Sequence, residues 1–480
     1  MIRFLLNSTE HQLDNVDPNM SVLTYLRDQL GKIGTKEGCA SGDCGACTVV
    51  IGELKQDQLR YRAINACITP LGNLHGLQLI TVEDVQQEQT LHPVQQAMVE
   101  QHGSQCGFCT PGFIMSMFAH IKTYDSPERS EIIESLGGNL CRCTGYRPIV
   151  DAAVQMYEPA STDSFSAQKA QTIADLSRIA LSTDPISLEG SGRRYFAPRS
   201  LQALAATLLE YPQARLVAGA TDLALEITQG LKEIDTLVFT GQVPELRQCQ
   251  DQQGALHIGA AVCFNDCKDA LLKHWPNLHE LLERLGSLQI RNQGTLGGNI
   301  ANASPIGDMP PALLALGASL VLRRGDVSRS IPLDQFYIGY KVTALQAGEF
   351  IERIVIPTPC QQDWFQTYKI SKRLEDDISA VCGAFKLQIE AGHVCSVSIA
   401  FGGMAEIPRR ASHCEQALLG QPWQQQTITS AMAALEQDFS PIDDFRASAF
   451  YRMQVARNLL QRLFHAHGSE PSTLQVTHYA

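Results

Sequence analysis

Short, largely apolar runs predict β-strands in the first 82 residues of the chain. The strands are expected at residues 2–6, 48–51 and 78–82, and Ser21 is placed to cap the start of a helix. A glycine-rich loop, residues 38–47, lies between this helix and the second strand. The pattern therefore predicts a small sheet around one helix.

From residue 91 to residue 158 the apolar positions recur with the period of an α-helix. Pro93 begins one helix, Pro111 a second, the segment 126–128 a third and Pro148 a fourth, because proline and capping residues favour the first turn. Glycines after the first and third helices mark their ends. This stretch is predicted to be a module of four short helices.

The remaining residues alternate between strand and helix patterns. The segment 161–192 is rich in Ser, Ala, Asp and Thr and is expected to be a linker, with a helical piece possible at 170–180. A hairpin is expected across Gly325-Asp326, strands at 381–390 and 394–401, and helices at 409–419, 427–436 and 447–465. The fold class is a multidomain α/β (α+β) protein with five segments: 1–85, 86–160, 161–192, 193–358 and 359–470.

Composition and charge narrow the possible functions. The 480 residues are 44% hydrophobic and 18% charged, with a net charge of −12, so a basic nucleic-acid-binding face is not expected. We find neither a signal sequence nor a run of about 18 apolar residues that would span a membrane, so a cytoplasmic protein is expected. Fifteen cysteines in that reducing compartment suggest metal ligands or buried thiols.

Eight of these cysteines fall into two sets with the spacing of a metal centre. The first cysteine set is a C-x4-C-x2-C loop with a later fourth member, which is the plant-type spacing for a [2Fe–2S] cluster; it consists of Cys39, Cys44, Cys47 and Cys67. The second cysteine set falls at two predicted helix starts, where free N–H groups favour thiolates; it consists of Cys106, Cys109, Cys141 and Cys143.

Structural zinc is the alternative for both cysteine sets. Zinc sites also use paired C-x2-C segments, but a C-x4-C-x2-C loop with one distant cysteine fits zinc poorly. The C-x-C pair of the second set is less diagnostic, so the zinc alternative is stronger there. The other seven cysteines are scattered and are expected to be ordinary buried or surface residues: Cys249, Cys263, Cys267, Cys360, Cys382, Cys395 and Cys414.

A run rich in Gly, Ser, Thr and Asn, residues 289–308, is a candidate anion site. Such a segment leaves backbone N–H groups free to approach a pyrophosphate, although it is also compatible with a tight structural turn. It is not a Rossmann fingerprint, because no G-x-G-x-x-G falls between a strand and a helix. A second glycine-containing loop follows the strand predicted at residues 214–218.

Over nearly its whole length the chain resembles the iron–sulfur/FAD subunits of bacterial xanthine dehydrogenases, within the molybdenum hydroxylases. The motifs that carry this resemblance are E-G-C-A-S-G-D-C-G-A-C at 37–47, Q-C-G-F-C-T-P-G-F at 105–113, G-N-L-C-R-C-T-G-Y-R-P-I at 138–149, L-V-A-G-A-T-D-L at 216–223 and T-L-G-G-N-I-A-N-A-S-P-I-G-D at 295–308. The first three are very specific together, and the last two are specific in this order.

The resemblance implies a function for each segment. Residues 1–85 would be a β-grasp plant-type [2Fe–2S] domain, 86–160 a helical [2Fe–2S] domain, 193–358 an FAD-binding domain and 359–470 a flavoprotein C-terminal domain. The residues implied to bind FAD are Leu216, Val217, Ala218, Gly219, Ala220, Thr221, Asp222, Leu223, Thr295, Leu296, Gly297, Gly298, Asn299, Asp308, Ile351 and Lys369. The chain departs from several relatives at Leu285, where they place an aromatic residue over the flavin.

The implied activity is electron transfer. In the family that the chain resembles, a large subunit with a molybdopterin cofactor oxidises hypoxanthine and xanthine to urate, and electrons pass through the second set, the first set and FAD to NAD+. Two one-electron centres beside a flavin independently suggest a converter between one-electron and two-electron chemistry. No catalytic residue is assigned in this chain, and a heterotetramer of two small and two large subunits is expected. The alternatives are a subunit of an aldehyde or other heterocycle hydroxylase, or a self-contained NADH:acceptor reductase.

Overall fold

The computed structural model describes residues 1–86, 90–157 and 163–467 of the 480-residue chain. This part of the chain forms two compact units. Unit 1 comprises Met1–Pro244 together with Gly286–Gly294, and unit 2 comprises Glu245–Leu285 together with the residues from Thr295 onward. Both units mix sheet and helix, which confirms the predicted fold class.

A five-stranded sheet forms the centre of unit 1. Its strands lie in the order Thr9–Leu13, Ile2–Leu6, Gln78–Ile80, Thr48–Lys55 and Gln58–Asn65. The second and third strands run parallel, and the other neighbours are antiparallel. Side chains alternate between the two faces of a strand, so Phe4 and Leu6 enter one apolar cluster while Leu5 enters another. The predicted small sheet is confirmed.

The four predicted helices pack on one face of this sheet. They are Pro93–Glu100, Thr110–Ile121, Arg129–Leu136 and Arg147–Gln155. Phe113 and Phe118 are fully buried and share an apolar cluster with Val50 and Ile80 of the sheet. The cysteine loops at the ends of these helices are therefore held against the sheet that carries the first cysteine set.

Short helical turns complete the region around the sheet. The helix capped by Ser21 is brief, Val22–Thr24, and continues as a π-helical turn, Tyr25–Gln29. The Ser21 hydroxyl accepts the backbone N–H of Thr24 over 3.1 Å, as the sequence predicted for an N-cap. Three 3-10 turns follow, at Ala66–Ile68, Leu71–Leu74 and Val82–Asp84.

The segment predicted as a linker, residues 161–192, is folded in its described part, and the helical piece expected at 170–180 is confirmed. Its described part contains the helices Ser164–Ala167 and Lys169–Leu181 and the strand Ser187–Gly190. Thr172, Leu176 and Ile179 repeat at helical spacing and are buried, so the longer helix has a face to pack against the five-stranded sheet. Small polar residues between these positions gave the segment the composition of a linker.

A second sheet in unit 1 has four strands, in the order Ser187–Gly190, Arg193–Phe196, Thr236–Phe239 and Arg215–Val217. The first two strands are antiparallel, whereas the last three run parallel to one another, and the helices Leu201–Glu210 and Leu223–Thr228 connect these three. Tyr195 and Leu237 of this sheet join the apolar cluster on the face of the first sheet opposite the four helices. One core thus links the two sheets.

A six-residue helix, Leu288–Gln293, also belongs to unit 1, and we call it the junction helix. Ser287 caps it, since the Ser287 hydroxyl accepts the backbone N–H of Ile290 over 3.2 Å. In unit 2, Thr295 caps the helix Leu296–Ala301 by accepting the N–H of Gly298 over 3.0 Å. The candidate anion site at residues 289–308 is therefore mostly helical up to residue 301, because two hydroxyl caps start helices there, and its role in binding an anion stays a prediction.

Unit 2 contains two antiparallel sheets and a hairpin. The first sheet has the order Cys249–Gln252, Ala255–Gly259, Phe350–Pro357, Ser319–Arg324 and Val327–Pro332, and the second Trp364–Ile370, Val381–Glu390, His393–Gly402 and Arg409–Arg410. Tyr337–Gly339 pairs with Val342–Thr343. The predicted hairpin across Gly325-Asp326 and the strands predicted at 381–390 and 394–401 are confirmed.

The last three helices of unit 2 match the three predicted helices with small shifts, whereas the earlier ones were not predicted. The helices of unit 2 are Phe264–His274, His279–Glu283, Leu296–Ala301, Met309–Ala315, Ser412–Leu418, Gln425–Asp438 and Ala449–Ala466, with 3-10 turns at Pro276–Leu278 and Leu333–Gln335. A further 3-10 turn, Pro244–Arg247, lies where the chain passes from unit 1 to unit 2. Arg409 and Arg410 are strand residues instead of the predicted helix start, because they pair with Phe401 and Ala400. Within the described residues, no helix combines the length and apolar character needed to cross a membrane.

Candidate functional site

The first cysteine set is brought together by the sheet and the loop that precedes it. Cys47 and Cys67 are buried, and their sulfurs lie 3.2 Å apart. Cys39 accepts the backbone N–H groups of Ser41, Asp43 and Cys44, each over 3.4 Å. The loop therefore wraps around the Cys39 sulfur with its backbone N–H groups directed at it, an arrangement that also occurs around metal-bound thiolates in other proteins.

A hydrogen bond between Cys39 and Cys44 makes these two residues the second close pair of the first set. A hydrogen bond from the Cys44 thiol, followed by donors on Ser41 and Asp43, lowers the pKa of Cys39 to about 4. The same hydrogen bond raises the pKa of Cys44, and the bond to Cys67 raises that of Cys47. The four sulfurs are thus arranged as Cys39 with Cys44 and Cys47 with Cys67. Cys39 readily becomes a thiolate, the form that binds metal.

The second cysteine set shows the same pairing. The sulfurs of Cys106 and Cys143 lie 3.5 Å apart, and a hydrogen bond from the backbone N–H of Cys106, followed by one from its thiol, lowers the pKa of Cys143 to about 7. Burial, followed by the hydrogen bond to the Cys141 sulfur, raises the pKa of Cys109 to about 12. Cys141 also accepts the backbone N–H of Thr144 over 3.3 Å.

Two kinds of metal centre were predicted for the cysteine sets. A [2Fe–2S] cluster binds two cysteine sulfurs on each iron, whereas structural zinc needs four ligands around one point. Each set offers two pairs of sulfurs, and in residues 1–86, 90–157 and 163–467 no three Cys, His, Asp or Glu side chains converge as ligands of one ion. The paired sulfurs are compatible with a two-iron cluster, and the choice between iron–sulfur and zinc rests on the similarity to known proteins.

The predicted FAD residues in unit 1 occupy the end of a strand and the turn after it. Leu216 and Val217 end the strand Arg215–Val217, and Leu223 begins the next helix. A side chain at Gly219 would lie 2.0 Å from the carbonyl oxygen of Gln293, so this position requires glycine for close backbone packing. Ala220 has a φ of +61°, which gives the turn between Ala218 and Asp222 a tight, strained bend.

The predicted FAD residues of the glycine-rich segment form the first turn of a helix in unit 2. Thr295 caps it, Leu296 is buried, and the Oδ1 atom of Asn299 is buried with no hydrogen-bond partner among the described residues. A side chain at Gly297 would lie 2.5 Å from the Ala260 carbonyl oxygen, whereas one at Gly298 would meet only the hydroxyl of Thr295, at 2.9 Å. The first-turn N–H groups of Leu296 and Gly298 are already bonded, to the Val262 carbonyl and the Thr295 hydroxyl, so the feature left for a bound pyrophosphate is the open space at Gly298. The contact of this segment with FAD stays a prediction.

Asp308 and Lys369 form a buried ion pair in unit 2. The Lys369 ammonium lies 2.6 Å from one carboxylate oxygen of Asp308, and the hydroxyl of Ser379 donates to the other over 2.5 Å. Each Asp308 oxygen thus already has a protein donor, which the family resemblance did not indicate. Their contact with FAD stays a prediction.

Two apolar positions noted in the sequence are also buried in unit 2. Ile351 lies in the strand Phe350–Pro357 opposite Leu322, and Leu285 is only 7% exposed in the same apolar cluster. The predicted FAD contact of Ile351 likewise stays a prediction. Two further residues beside the cysteine sets, Asn139 and Gln289, were missed by the sequence reasoning, although both lie in segments that it singled out.

Four models of protein families match successive parts of the chain. They are the 2Fe-2S iron-sulfur cluster binding domain at residues 4–72, the [2Fe-2S] binding domain at 81–154, the FAD binding domain in molybdopterin dehydrogenase at 188–359 and the CO dehydrogenase flavoprotein C-terminal domain at 366–467. The first two contain the two cysteine sets, and the third contains every predicted FAD residue except Lys369. The chain therefore has two [2Fe–2S] domains and an FAD-binding domain.

Known proteins resemble the chain in sequence and in structure. Xanthine dehydrogenase of Emericella nidulans is 34% identical over 97% of this chain and 38% of the relative, and xanthine dehydrogenase/oxidase of Rattus norvegicus is 30% identical over 92% and 37%. The chain thus spans little more than a third of the length of these curated relatives. Carbon monoxide dehydrogenase from Hydrogenophaga pseudoflava is 27% identical, with a TM-score of 0.54 over 56% of this chain and 94% of that one. Quinoline 2-oxidoreductase from Pseudomonas putida 86 is 29% identical, with a TM-score of 0.52 over 56% and 95%.

The two adjacent glycines give a test of the predicted FAD segment. We expect Gly298→Val to lose FAD while keeping both iron–sulfur signals, because a branched side chain would fill the open space beside the first turn of this helix and block the approach of a pyrophosphate to the backbone. Gly297→Val is the matched control and is expected to destabilise the fold, because its side chain would meet the backbone of Ala260. Flavin absorbance and the midpoint of thermal unfolding measure the two effects. A folded Gly298→Val chain with full flavin content would contradict the predicted position.

Proposed function

The chain belongs to the molybdenum hydroxylase family, and on this premise we propose that it is the electron-transfer subunit of a xanthine dehydrogenase. In this proposal, electrons from a molybdopterin-containing large subunit, which oxidises hypoxanthine and xanthine to urate, pass through the second and first cysteine sets and FAD to NAD+. When bound, the clusters supply one-electron steps and the flavin joins these to two-electron hydride chemistry. The single observation that carries the proposal is the arrangement of eight cysteines as four close pairs beside a matched FAD domain.

The residues of this chain hold and insulate the redox groups. The Cys39 loop directs backbone N–H groups at its sulfur, which favours the thiolate form and stabilises negative charge. Cys47 and Cys67 are buried, which keeps water from that side of the first set. We propose that FAD is bound through the segments 216–223 and 295–299, with Asp308, Ile351 and Lys369 close to it.

The second set supports a partner subunit. Cys106 and Cys143 are exposed, and so are three large apolar side chains next to the set: Phe108 at 48%, Leu140 at 46% and Tyr146 at 47%. Exposed apolar groups clustered around a redox site are typical of a surface that another protein covers. We propose that the molybdenum-containing large subunit covers this surface, in a heterotetramer of two small and two large subunits.

A cytoplasmic location is part of the same proposal. None of the fifteen cysteines, all of which lie in the described residues, is paired in a disulfide. Unpaired thiols at exposed positions such as Cys360 and Cys395 suit a reducing compartment.

A second candidate function is supported by the structural similarity to quinoline 2-oxidoreductase and carbon monoxide dehydrogenase. In this alternative the chain is the equivalent subunit of an aldehyde or other heterocycle hydroxylase. The substrate would be bound outside these 480 residues in both cases, so the identity of the large subunit distinguishes them. A self-contained NADH:acceptor reductase is the third candidate and needs no large subunit.

Copurification tests the proposed function directly. We expect the tagged chain, isolated from its native cells, to bring down a large molybdenum-containing chain whose complex reduces NAD+ with xanthine. Activity with an aldehyde or quinoline but not with xanthine would favour the second candidate. An isolated chain that oxidises NADH with a small acceptor protein and binds no molybdenum partner would favour the third.

Metal and flavin analysis tests the cofactor content. We expect about four iron atoms and about one FAD per chain, because each of two [2Fe–2S] centres contains two irons. Elemental analysis and flavin extraction give these values. Zinc in place of iron, or iron near two atoms per chain, would contradict the assignment of one of the cysteine sets.

Loss of one exposed cysteine tests the proposed order of electron transfer. We expect Cys143→Ser to abolish xanthine-dependent NAD+ reduction in the assembled complex while NADH-to-dye activity survives, because only entry at the second set is lost. Cys360→Ser is the matched control, since Cys360 is also exposed but lies outside both sets. NAD+ reduction that persists without the second iron–sulfur signal would show that the order is wrong.

A further inference from the structure

The loops that carry the two cysteine sets touch within unit 1. The backbone N–H of Leu140, next to Cys141, donates to the carbonyl oxygen of Cys44 over 3.0 Å. Beside it, the side-chain amide of Asn139 donates to the Gly45 carbonyl over 3.0 Å and to the Thr48 hydroxyl over 3.2 Å. Cys44 of the first set therefore accepts a hydrogen bond that joins the two loops, and Cys141 of the second set is the residue next to its donor.

Glycines allow this close approach of the two backbones. A side chain at Gly45 would lie 2.2 Å from the carbonyl oxygen of Gly138, and one at Gly112 would lie 2.2 Å from that of Gly45. A side chain at Gly138 would meet Gln289 Oε1 at 2.3 Å. The contact is thus packed backbone against backbone, and small movements of either loop would change it.

Asn139 uses its whole amide group at this contact. Its Nδ2 atom donates to the first-set loop, while its Oδ1 atom accepts from the Ser116 hydroxyl over 2.6 Å and from the Gln289 amide over 3.1 Å. The side chain is only 1% exposed. Buried amides with both ends bonded hold their neighbours in one orientation.

Gln289 closes the network from the junction helix. Its Nε2 atom lies 3.1 Å from the Ser116 hydroxyl, 3.1 Å from Asn139 Oδ1 and 3.4 Å from the Thr48 hydroxyl, and the residue is fully buried. Its Oε1 atom has no hydrogen-bond partner among the described residues. An apolar side chain of the same size would avoid that unpaired oxygen, so stability alone does not account for a glutamine here.

We propose that Asn139 and Gln289 are positioning residues that fix the separation and orientation of the two cysteine sets. Neither side chain binds a metal; each acts through the backbone of the loops that do. Electron exchange between bound clusters falls steeply with distance, so the network sets how fast an electron crosses from the second set to the first. This inference rests on the proposed function, since it requires a cluster at each set.

Three full-length variants, purified with their cofactors, test this inference. Gln289→Met removes the Nε2 donor of the glutamine while keeping the length of the side chain. Asn139→Leu removes the side-chain amide that bonds to both loops and to Gln289. Asn292→Leu is the matched control, because Asn292 is a buried amide on the same helix that donates to the Ala63 carbonyl on the neighbouring strand. Iron and flavin content are measured in each chain so that only fully loaded samples are compared.

The main measurement is the magnetic interaction between the two reduced clusters, seen by electron paramagnetic resonance. We expect this splitting to be lost or strongly reduced in Gln289→Met and Asn139→Leu and unchanged in Asn292→Leu. In rapid mixing with NADH, reduction of the second-set cluster should slow several-fold while flavin reduction keeps its wild-type rate. Hydrogen exchange of the Leu140 amide should become faster in the same two variants, which reports the loop contact without reference to activity.

The outcomes separate this inference from the proposed function. A wild-type chain without two iron–sulfur signals would contradict the proposed function. Two normal signals with unchanged splitting and unchanged Leu140 exchange in Gln289→Met would overturn the positioning role alone. If Asn139→Leu does not fold, Gln289→Met decides. Equal losses in Asn292→Leu would also overturn the proposal, because they would show a general loosening of the helix.

Discussion

Eight cysteine sulfurs must be held in four close pairs, and the architecture of unit 1 follows from that constraint. Sulfurs at such distances repel one another once they are thiolates, so the backbone must supply both rigidity and N–H donors. The five-stranded sheet provides the rigidity, because one face packs against the four helices and the other against the second sheet. The loops between these layers are then short enough to aim donors at Cys39 and Cys141.

Sequence spacing was sufficient to predict the local parts of this design. The C-x4-C-x2-C loop, the proline-started helices and the small sheet depend on contacts between near neighbours, which a pattern of residue types encodes. The linker assignment missed the buried face of the helix within residues 161–192. Small polar residues between the buried positions gave the segment the composition of a linker, and the burial depends on packing against the rest of unit 1. The contact between Asn139 and Gln289 joins residues 150 positions apart, and no spacing rule reaches that far.

The candidate flavin residues of unit 2 differ in how far their side chains are already hydrogen-bonded within the protein. Asp308 is saturated by Lys369 and Ser379, and a buried pair of this kind is neutral overall, so removing one partner would leave an uncompensated charge. Asn299 instead keeps an unpaired buried oxygen. The Asp308 carboxylate is therefore already engaged within the protein, and its contact with FAD stays a prediction.

Burial also differs between the two cysteine sets. Cys47 and Cys67 lie inside the core of unit 1, whereas Cys106 and Cys143 reach the surface among exposed apolar side chains. A redox centre that exchanges electrons with another protein has to approach the surface, while one that exchanges only with groups in its own chain is better shielded from water. This difference in burial fits the proposal that electrons enter at the second set and pass to the first. Asn139 and Gln289 lie where these two requirements meet, since the exposed loop must stay in fixed contact with the buried one.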